Sequence, residues 1–239
     1  MRYILYCILL LTKRQHFTIM ITKLAYFVIL EVSCLAHGTY DDTHQRILAS
    51  GMKMFLENGF ERTNLRELCA EAGVTTGSFY RHFESKEDIF SYFVQPAVDE
   101  IKKDFTDAEP LCREAVEAGD VRRLWMIMDE NRLLDYIYRN FDALKLLLKC
   151  SDGTKYSDFL NDVVCMETDI SLRYLVLAKE RGLIAVELPS ETEMHLICHA
   201  YISSVFEAVL HDLSRDVMEK YIHTIVKFFT TGAYEVLGL

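Results

Sequence analysis

ENGFERTNLRELCAEAGVTTGSFYRHFESKEDIF, residues 57–90, carries helix boundaries at short intervals. Gly59 is suited to a left-handed helix C-cap, and Asn64 can accept hydrogen bonds as the N-cap of the next helix. Gly73 then permits a tight turn before another capping threonine. These signals predict a first helix followed by a helix-turn-helix at about 64–83, because two short helices joined by a glycine-bearing turn have that geometry.

The predicted third helix buries Phe79 and Phe83, which are one turn apart, and points small and hydrogen-bonding side chains outward. A short helix of this kind can enter a major groove of about 12 Å and bring donors to base edges and phosphates. Arg81 can pair with guanine or phosphate, and Ser85 can cap a fourth helix that presents Lys86 to an anion. The outward residues are Thr76, Gly77, Ser78, Tyr80, Arg81 and His82.

Residues 43–90 resemble the DNA-binding domain of the TetR (TetR/AcrR) family of bacterial transcriptional regulators through GF, TN, AGV, SFYRHF and SKE. The resemblance implies a homodimeric repressor with a divergent C-terminal ligand domain. It also implies a set of residues that contact DNA. The residues facing bases would be Thr76, Gly77, Ser78 and Arg81. Those positioning the DNA backbone would be Thr63, Asn64, Arg66, Tyr80, His82 and Lys86, and Thr75 completes the DNA-binding set.

The net charge of −10 is unevenly distributed along the chain. Residues 41–90 hold six basic and nine acidic residues, and residues 91–239 hold sixteen and twenty-six. A surface that binds a polyanion must therefore be small and local. The arm before the first helix reads HGTYDD, whereas this arm is often basic in the family that the chain resembles. We expect modest and strongly salt-dependent DNA affinity.

The chain is expected to be all-α, because it has only three prolines and ten glycines and its apolar residues recur at spacings of three and four. We predict a DNA-binding domain at 41–101 and a helical ligand-binding and dimerisation domain at 102–239. The fourth helix is expected to be interrupted near Pro96 and to end at about Asp104. Further helices are expected at roughly 110–118, 121–149, 155–182, 190–213 and 215–237.

Large side chains in the C-terminal domain could line an apolar ligand pocket, although each could equally be ordinary core. A stripe of small residues near the C-terminus suits a four-helix interface across a two-fold axis, with packing inside one chain as the alternative. The pocket candidates are Trp125, Met128, Tyr136, Tyr138, Phe141 and Tyr174. The interface candidates are Ala200, Tyr201, Ser204, Ala208, Tyr221, Ile225 and Phe229.

Residues 1–40 are strongly apolar, but charged residues interrupt them before any uncharged run reaches the roughly 18–20 residues of a membrane-spanning helix. Three interpretations remain open: a mis-assigned translation start, a membrane-associating helix, and an extra helix packed on the body. The alternative to a regulator is a membrane-tethered or partner-binding protein that uses this segment, with DNA binding secondary. Membrane association is nevertheless expected to be unlikely.

The seven cysteines are scattered, with no CxxC pair, which fits a reducing cytoplasm better than a disulfide framework or a thiolate zinc site. His195 and His199 have metal-ligand spacing but no convincing third ligand. The sequence has no Gly-rich phosphate loop or nucleophile motif. We therefore expect a cytoplasmic protein without metal or cofactor that is not an enzyme.

The function that these features predict is a sequence-specific transcriptional regulator that responds to a ligand. It would be a repressor that a small-molecule effector releases from a palindromic double-stranded DNA operator. A DNA organiser that responds to no ligand is a further alternative.

Overall fold

The computed structural model describes residues 40–127 and 129–239 of the chain. The predictions for residues 1–39 and for Met128 lie outside the described residues. Helix α1 is helical from residue 40, the first described, to residue 58. The later helices are α2 (Leu65–Glu71), α3 (Thr76–Phe79), α4 (Lys86–Glu117), a 3₁₀ helix (Val121–Met126), α5 (Glu130–Arg139), α6 (Phe141–Lys149), α7 (Phe159–Glu180), α8 (Glu191–Leu210) and α9 (Arg215–Leu237). The described chain contains no strand, which confirms the all-α prediction.

The boundaries of the short N-terminal helices follow the capping residues in the sequence. The Asn64 side chain accepts from the N–H of Arg66 at 2.8 Å at the start of α2. Thr75 caps α3 by accepting from the N–H of Ser78 at 3.0 Å. The turn between α2 and α3 contains Gly73 with a φ of 64°, a left-handed conformation that favours glycine. The starts of α2 and α3 are therefore set by local hydrogen bonds.

One apolar core joins α1, α2 and α3 to the first turns of α4. We call these four parts together the head. Phe55, Leu68 and Phe79 are fully buried in it. Gly51 lets α1 approach α4, because a Cβ atom at this position would lie 2.7 Å from the Cδ1 of Ile89. Helix α1 therefore packs directly on the first turns of α4.

Helix α4 differs from the prediction, because it continues through Pro96 and Pro110 to Glu117. A proline inside a helix removes one backbone hydrogen bond and crowds the preceding turn. Burial on both sides of Pro96 offsets that cost, since Val94 and Ala97 are fully buried. The predicted division at 101/102 falls inside this continuous helix and stays a prediction.

The body is formed by the second half of α4 together with the 3₁₀ helix and α5 to α9. The prediction of one helix at 121–149 was wrong, because this segment is divided into the 3₁₀ helix, α5 and α6. Asp129 accepts from the N–H groups of Asn131 and Arg132 and begins α5, and Asn140 separates α5 from α6. A capping box begins α8, with Ser190 and Glu193 bonded reciprocally. No helix in the part of the chain that the structure describes has the length and apolarity to cross a membrane.

Candidate nucleic-acid interface and body cavity

The first turn of α3 is open to solvent and lined by small and polar groups. Thr76 and Gly77 are exposed, and the nearest atom to a Cβ built on Gly77 is the Thr75 hydroxyl at 3.8 Å. Tyr80 is 58% exposed directly after the helix. Arg81 is also exposed, with one guanidinium nitrogen 3.4 Å from the hydroxyl of Ser78. A polyanion can therefore approach the backbone of α3 closely and meet several hydrogen-bonding side chains.

Arg46 of α1 holds the turn that positions α3. Its guanidinium donates to the carbonyl of Ala72 at 2.9 and 2.6 Å and to that of Gly73 at 2.6 Å. A Cβ at Gly73 would lie 2.8 Å from a guanidinium nitrogen, so this position needs glycine for space as well as for its positive φ. Sequence reasoning missed Arg46, because no local motif links an arginine in α1 to carbonyls 26 and 27 residues later.

Two residues predicted to position the DNA backbone have side chains that form hydrogen bonds within the head. The Thr63 side chain is buried, and its hydroxyl donates to the carbonyl of Gly59 at 2.7 Å. The Lys86 ammonium donates to the carbonyls of Phe60 at 2.7 Å and Thr63 at 2.9 Å. Burial lowers the pKa of Lys86, with an opposing contribution from Glu61. Both side chains therefore support the turn between α1 and α2, and their contact with the DNA backbone stays a prediction.

His82 also turns away from the open face of α3. Its ring stacks on Tyr40 with centroids 4.1 Å apart, and it lies 5.5 Å from the ring of His44. The Nδ1 atoms of both histidines are buried and have no hydrogen-bond partner among the described residues. Burial lowers the pKa of His82, and His44 and Arg81 lower it further by charge repulsion. At neutral pH His82 is therefore uncharged, so it could offer a phosphate a hydrogen bond but no positive charge, and its role as a phosphate donor stays a prediction.

The predicted contact residues that remain accessible lie on the first turns of α2 and α3 and directly after α3. Two of them are exposed arginines, Arg66 and Arg81. Other charges of the head are engaged within it, because Arg46 pairs with Asp42 and Lys53 pairs with Glu71. The accessible residues are Asn64, Arg66, Thr75, Thr76, Gly77, Ser78, Tyr80 and Arg81.

A cavity of about 900 Å³ lies within the body and is bordered by the second half of α4, the 3₁₀ helix, α5, α7, α8 and α9. Of the predicted pocket residues, Trp125, Tyr136 and Tyr174 line it. The hydroxyl of Tyr136 donates to the carbonyl of Ala97 at 3.1 Å, and that of Tyr174 donates to the carbonyl of Glu109 at 2.8 Å. These two tyrosines therefore offer mainly ring surface to the cavity.

Two other predicted pocket residues do not line the cavity. The rings of Tyr138 and Phe141 stack on each other with centroids 5.6 Å apart. The hydroxyl of Tyr138 donates to the carbonyl of Leu213 at 2.7 Å, which ties α5 to the segment between α8 and α9. Both residues therefore pack against each other at the junction of α5 and α6, away from the cavity.

Glu167 of α7 is a carboxylate within this mainly apolar lining. It accepts from the hydroxyl of Ser171 at 3.2 Å. Burial raises the pKa of Glu167, and the hydrogen bond from Ser171 opposes that rise. Sequence reasoning missed this residue, although a signal exists: Glu167 lies four residues after Val163 and seven before Tyr174, on the buried face of α7.

Head and body are joined by contacts beside the continuous helix α4. The N–H of Phe60 donates to the carbonyl of Cys150, which ends α6, at 2.9 Å. The hydroxyl of Tyr156 donates to Gln95 at 2.6 Å, and its ring lies 6.2 Å from that of Phe90. The segment between α6 and α7 therefore contacts both the turn of the head and α4.

The residues predicted for a dimer interface are largely used inside the chain. Ala208 is 2% exposed. Tyr201 packs on Phe229 with ring centroids 5.2 Å apart, and the hydroxyl of Tyr221 donates to the carbonyl of Ser204 at 2.8 Å. Ile225 is half-buried, whereas Ala200 is exposed. The exposed large apolar side chains of α8 and α9 lie beside this predicted set and are Leu196, Ile197, Val217, Phe228 and Val236.

The described residues also bear on the other sites considered from sequence. Their five cysteines are free thiols. No group of three histidine, cysteine, aspartate or glutamate residues in residues 40–127 and 129–239 is arranged to hold a metal ion. His199 lies 3.4 Å from the hydroxyl of Ser203.

Comparison with known proteins places the head in a described family. Residues 47–93 match the family described as "Bacterial regulatory proteins, tetR family". The repressor BepR of Brucella suis is 42% identical over 53 residues, which cover 22% of this chain and 25% of BepR. The regulator AcrR of Shigella flexneri is 42% identical over 50 residues, which cover 21% of this chain and 23% of AcrR. The chain thus spans about a quarter of the length of these curated relatives.

A solved structure resembles a larger part of the chain. It is a Clostridium perfringens protein proposed to be a fatty acid metabolism regulator. Its TM-score is 0.52 at 22% sequence identity, and the match covers 78% of this chain and 97% of that one. This likeness extends the shared fold from the head into the helical body.

Proposed function

We propose that the chain is a TetR-family regulator, because residues 47–93 match that family, and that it is a ligand-responsive, sequence-specific DNA-binding transcriptional regulator. The family is one of transcriptional regulators, which are not enzymes. We further propose that the chain is a repressor that a small-molecule effector releases from a palindromic operator in the bacterial cytoplasm.

The observation that carries this proposal is the extent of α4. Its first residues pack under the helix-turn-helix, and its second half lines the cavity through Ile101, Phe105 and Cys112. A ligand in the cavity therefore contacts the same helix that supports α3. For such a ligand to release DNA, it must bind the released conformation more tightly than the DNA-bound one, by about 10⁴-fold for a shift from 1:99 to 99:1.

Dimerisation is part of the proposal, because a palindromic site needs two heads about 34–36 Å apart. We propose that a second copy covers the exposed apolar side chains of α8 and α9. Leu196 is 62% exposed and Phe228 is 72% exposed. The two lie on adjacent helices, so one two-fold contact can cover both in a four-helix interface.

The proposal is tested by selecting DNA from a random library with the full chain at about 0.1 M salt and sequencing the bound pool. A palindromic motif would support the regulator, and gel-shift assays on that motif would then measure release by candidate effectors. A bound pool without any motif would contradict sequence-specific binding. Footprints without a palindrome, together with no response to any small molecule, would favour the ligand-independent DNA organiser.

The membrane-tethered alternative depends on residues 1–39. The relatives matched by the head are named as transcriptional regulators, and the described helices include none suited to span a membrane. N-terminal sequencing of the native protein measures whether residues 1–38 are translated.

A further inference from the structure

The cavity in the body is large, apolar and supplied with few free polar groups. Its volume of about 900 Å³ is at the upper end of the range for sites that hold drug-sized molecules, roughly 300–1,000 Å³. Apolar residues from several helices form most of its wall. They include Phe105, Trp125, Ile170, Val205 and Phe206. A ligand that fills the cavity must therefore be bulky and mostly apolar.

The carboxylate of Glu167 is exceptional within this wall. Glu167 is half-buried, faces the cavity and accepts one hydrogen bond from Ser171 at 3.2 Å. No arginine, lysine or histidine in the described part of the chain forms an ion pair with it. The other carboxylate in the cavity wall, Asp104, is paired with Arg132. Glu167 is thus available for a positive charge that the protein itself does not supply.

Neighbouring side chains place this carboxylate between α4 and α8. Burial, followed by the charge of Glu167, raises the pKa of Cys112 on α4 and of Cys198 on α8 to about 11. Burial and then Glu167 likewise raise the pKa of Tyr201 to about 12. These three groups are uncharged at neutral pH, and since thiols and phenols ionise only to anions, none of them can neutralise the carboxylate. The surroundings disfavour an isolated negative charge and would be improved by a cation.

The geometry points to an effector of a particular class: we propose that the cavity binds a bulky apolar compound carrying a basic nitrogen, which pairs with Glu167. The inference rests on the proposed ligand-responsive function, whose ligand class it specifies. Lys227 also lines the cavity, but its side chain is exposed and makes no ion pair with Glu167 among the described residues. An exposed ammonium attracts an anionic ligand weakly, because water screens it, whereas a charge held in an apolar wall is screened less.

The test uses three fluorescent compounds with the same ring system and different charges: pyrenemethylamine, pyrenemethanol and pyrenecarboxylic acid. Their affinities for the full-length chain are measured at about pH 7, where the amine is cationic. We expect the amine to bind about tenfold to a hundredfold more tightly than the alcohol, as a hydrogen-bonded charge pair removed from water would give, and the carboxylate to bind most weakly. This charge series needs no variant, so it does not depend on whether a variant folds.

Glu167→Gln should remove most of the preference for the amine while keeping the size of the side chain. Glu180→Gln is the matched control, because Glu180 is a glutamate on the same helix that is exposed and does not line the cavity, and it should leave the preference unchanged. Equal binding of amine and alcohol, or a preference that survives in Glu167→Gln, would overturn the inference and leave the proposed function standing. Binding of none of the three compounds would overturn the inference and the proposed role of the cavity together. A selective amine that fails to empty the DNA site would support the ligand class and contradict the release mechanism.

Discussion

The ammonium of Lys86 lies 4.2 Å from the centre of the Phe60 ring and donates to the Phe60 carbonyl at 2.7 Å. This contact joins the first residue of α4 to the turn between α1 and α2. It assigns the lysine a structural task within the head. The ammonium also donates to the carbonyls of Thr63 at 2.9 Å and Glu61 at 3.4 Å, so each of its three N–H groups has a backbone acceptor within the head.

Lys86→Met is expected to destabilise the chain by about 1–3 kcal/mol, because it leaves two partly buried carbonyls without their donor. Thermal unfolding measures this change in stability. The salt dependence of DNA binding should remain unchanged at temperatures where the variant is folded. Lys53→Met is the control, because Lys53 pairs with Glu71 on the exposed surface and its removal should affect stability little. A reduced salt slope in Lys86→Met would mean that Lys86 contacts phosphate after all.

Tyr80→Ala should weaken binding to all DNA sequences, whereas Arg81→Ala should relax the preference at one or two base pairs. The cost for Arg81 would be about 1–3 kcal/mol if it contacts guanine. Selection from a random library with each variant separates the two effects. Arg66→Ala should lower the slope of log affinity against log salt by about 1 if its guanidinium neutralises one phosphate. The opposite pattern for Tyr80 and Arg81 would exchange their roles.

Leu196→Asp is expected to shift the chain from dimer to monomer, because it places a carboxylate in the proposed contact between two copies. Light scattering at several protein concentrations measures the change. Val176→Asp is the matched control: Val176 is also exposed but lies on α7, outside the proposed interface. A dimer that tolerates Leu196→Asp would place the interface elsewhere.

Glu167 should make the ligand-free chain less stable as the pH rises. Burial raises the pKa of Glu167 above 4.5. Between pH 4.5 and the folded-state pKa, the folded state therefore keeps a proton that the unfolded state has lost. The stability linked to Glu167 is therefore fully present below pH 4.5 and is lost as pH rises through the folded pKa. Glu167→Gln should flatten this decline and raise the melting temperature at pH 7. Glu180→Gln, at the exposed end of the same helix, should leave the decline in place.

His82 should make the chain less stable as the pH falls, the opposite of the effect of Glu167. Burial lowers the pKa of His82 below 6.5, so the unfolded state binds a proton that the folded state does not. Stability should therefore fall as the pH drops below 6.5. His82→Phe keeps the ring against Tyr40 and should reduce this fall in unfolding measurements between about pH 7.5 and about pH 5.5. A control, His211→Gln, changes an exposed histidine. An unchanged fall in His82→Phe would assign the acid sensitivity to other groups.

The head could be predicted closely because its signals are local. Asn64, Thr75 and Ser85 each bond to backbone within three residues, so their side chains and spacing alone indicate where helices begin. The support given by Arg46 and Lys86 could not be predicted, because their acceptors lie more than twenty residues away and are backbone carbonyls. Every residue has a backbone carbonyl, so the sequence does not indicate which carbonyl accepts from a distant side chain.

The body was harder to predict because tertiary packing overrides local signals there. Pro96 marks a helix break in isolation, yet burial of its neighbours keeps α4 continuous. Tyr136 and Tyr138 are two residues apart and both aromatic, but only Tyr136 lines the cavity, because successive helical positions point in different directions. Which aromatic residues surround the cavity depends on where α5 ends, and a window of sequence does not contain that information.

The brevity of α3 limits how much information one head can extract from DNA. A single turn from Thr76 to Phe79 brings only two or three side chains to base edges, and each can discriminate by about tenfold to a hundredfold. A genome offers about 10⁶–10⁹ competing sites, which exceeds what a few such contacts can resolve. Two heads on one two-fold axis multiply their discrimination. In the proposed regulator, the pairing of two subunits would therefore supply the discrimination that so short a helix lacks, and a monomer could not select one site among many even if it bound DNA well.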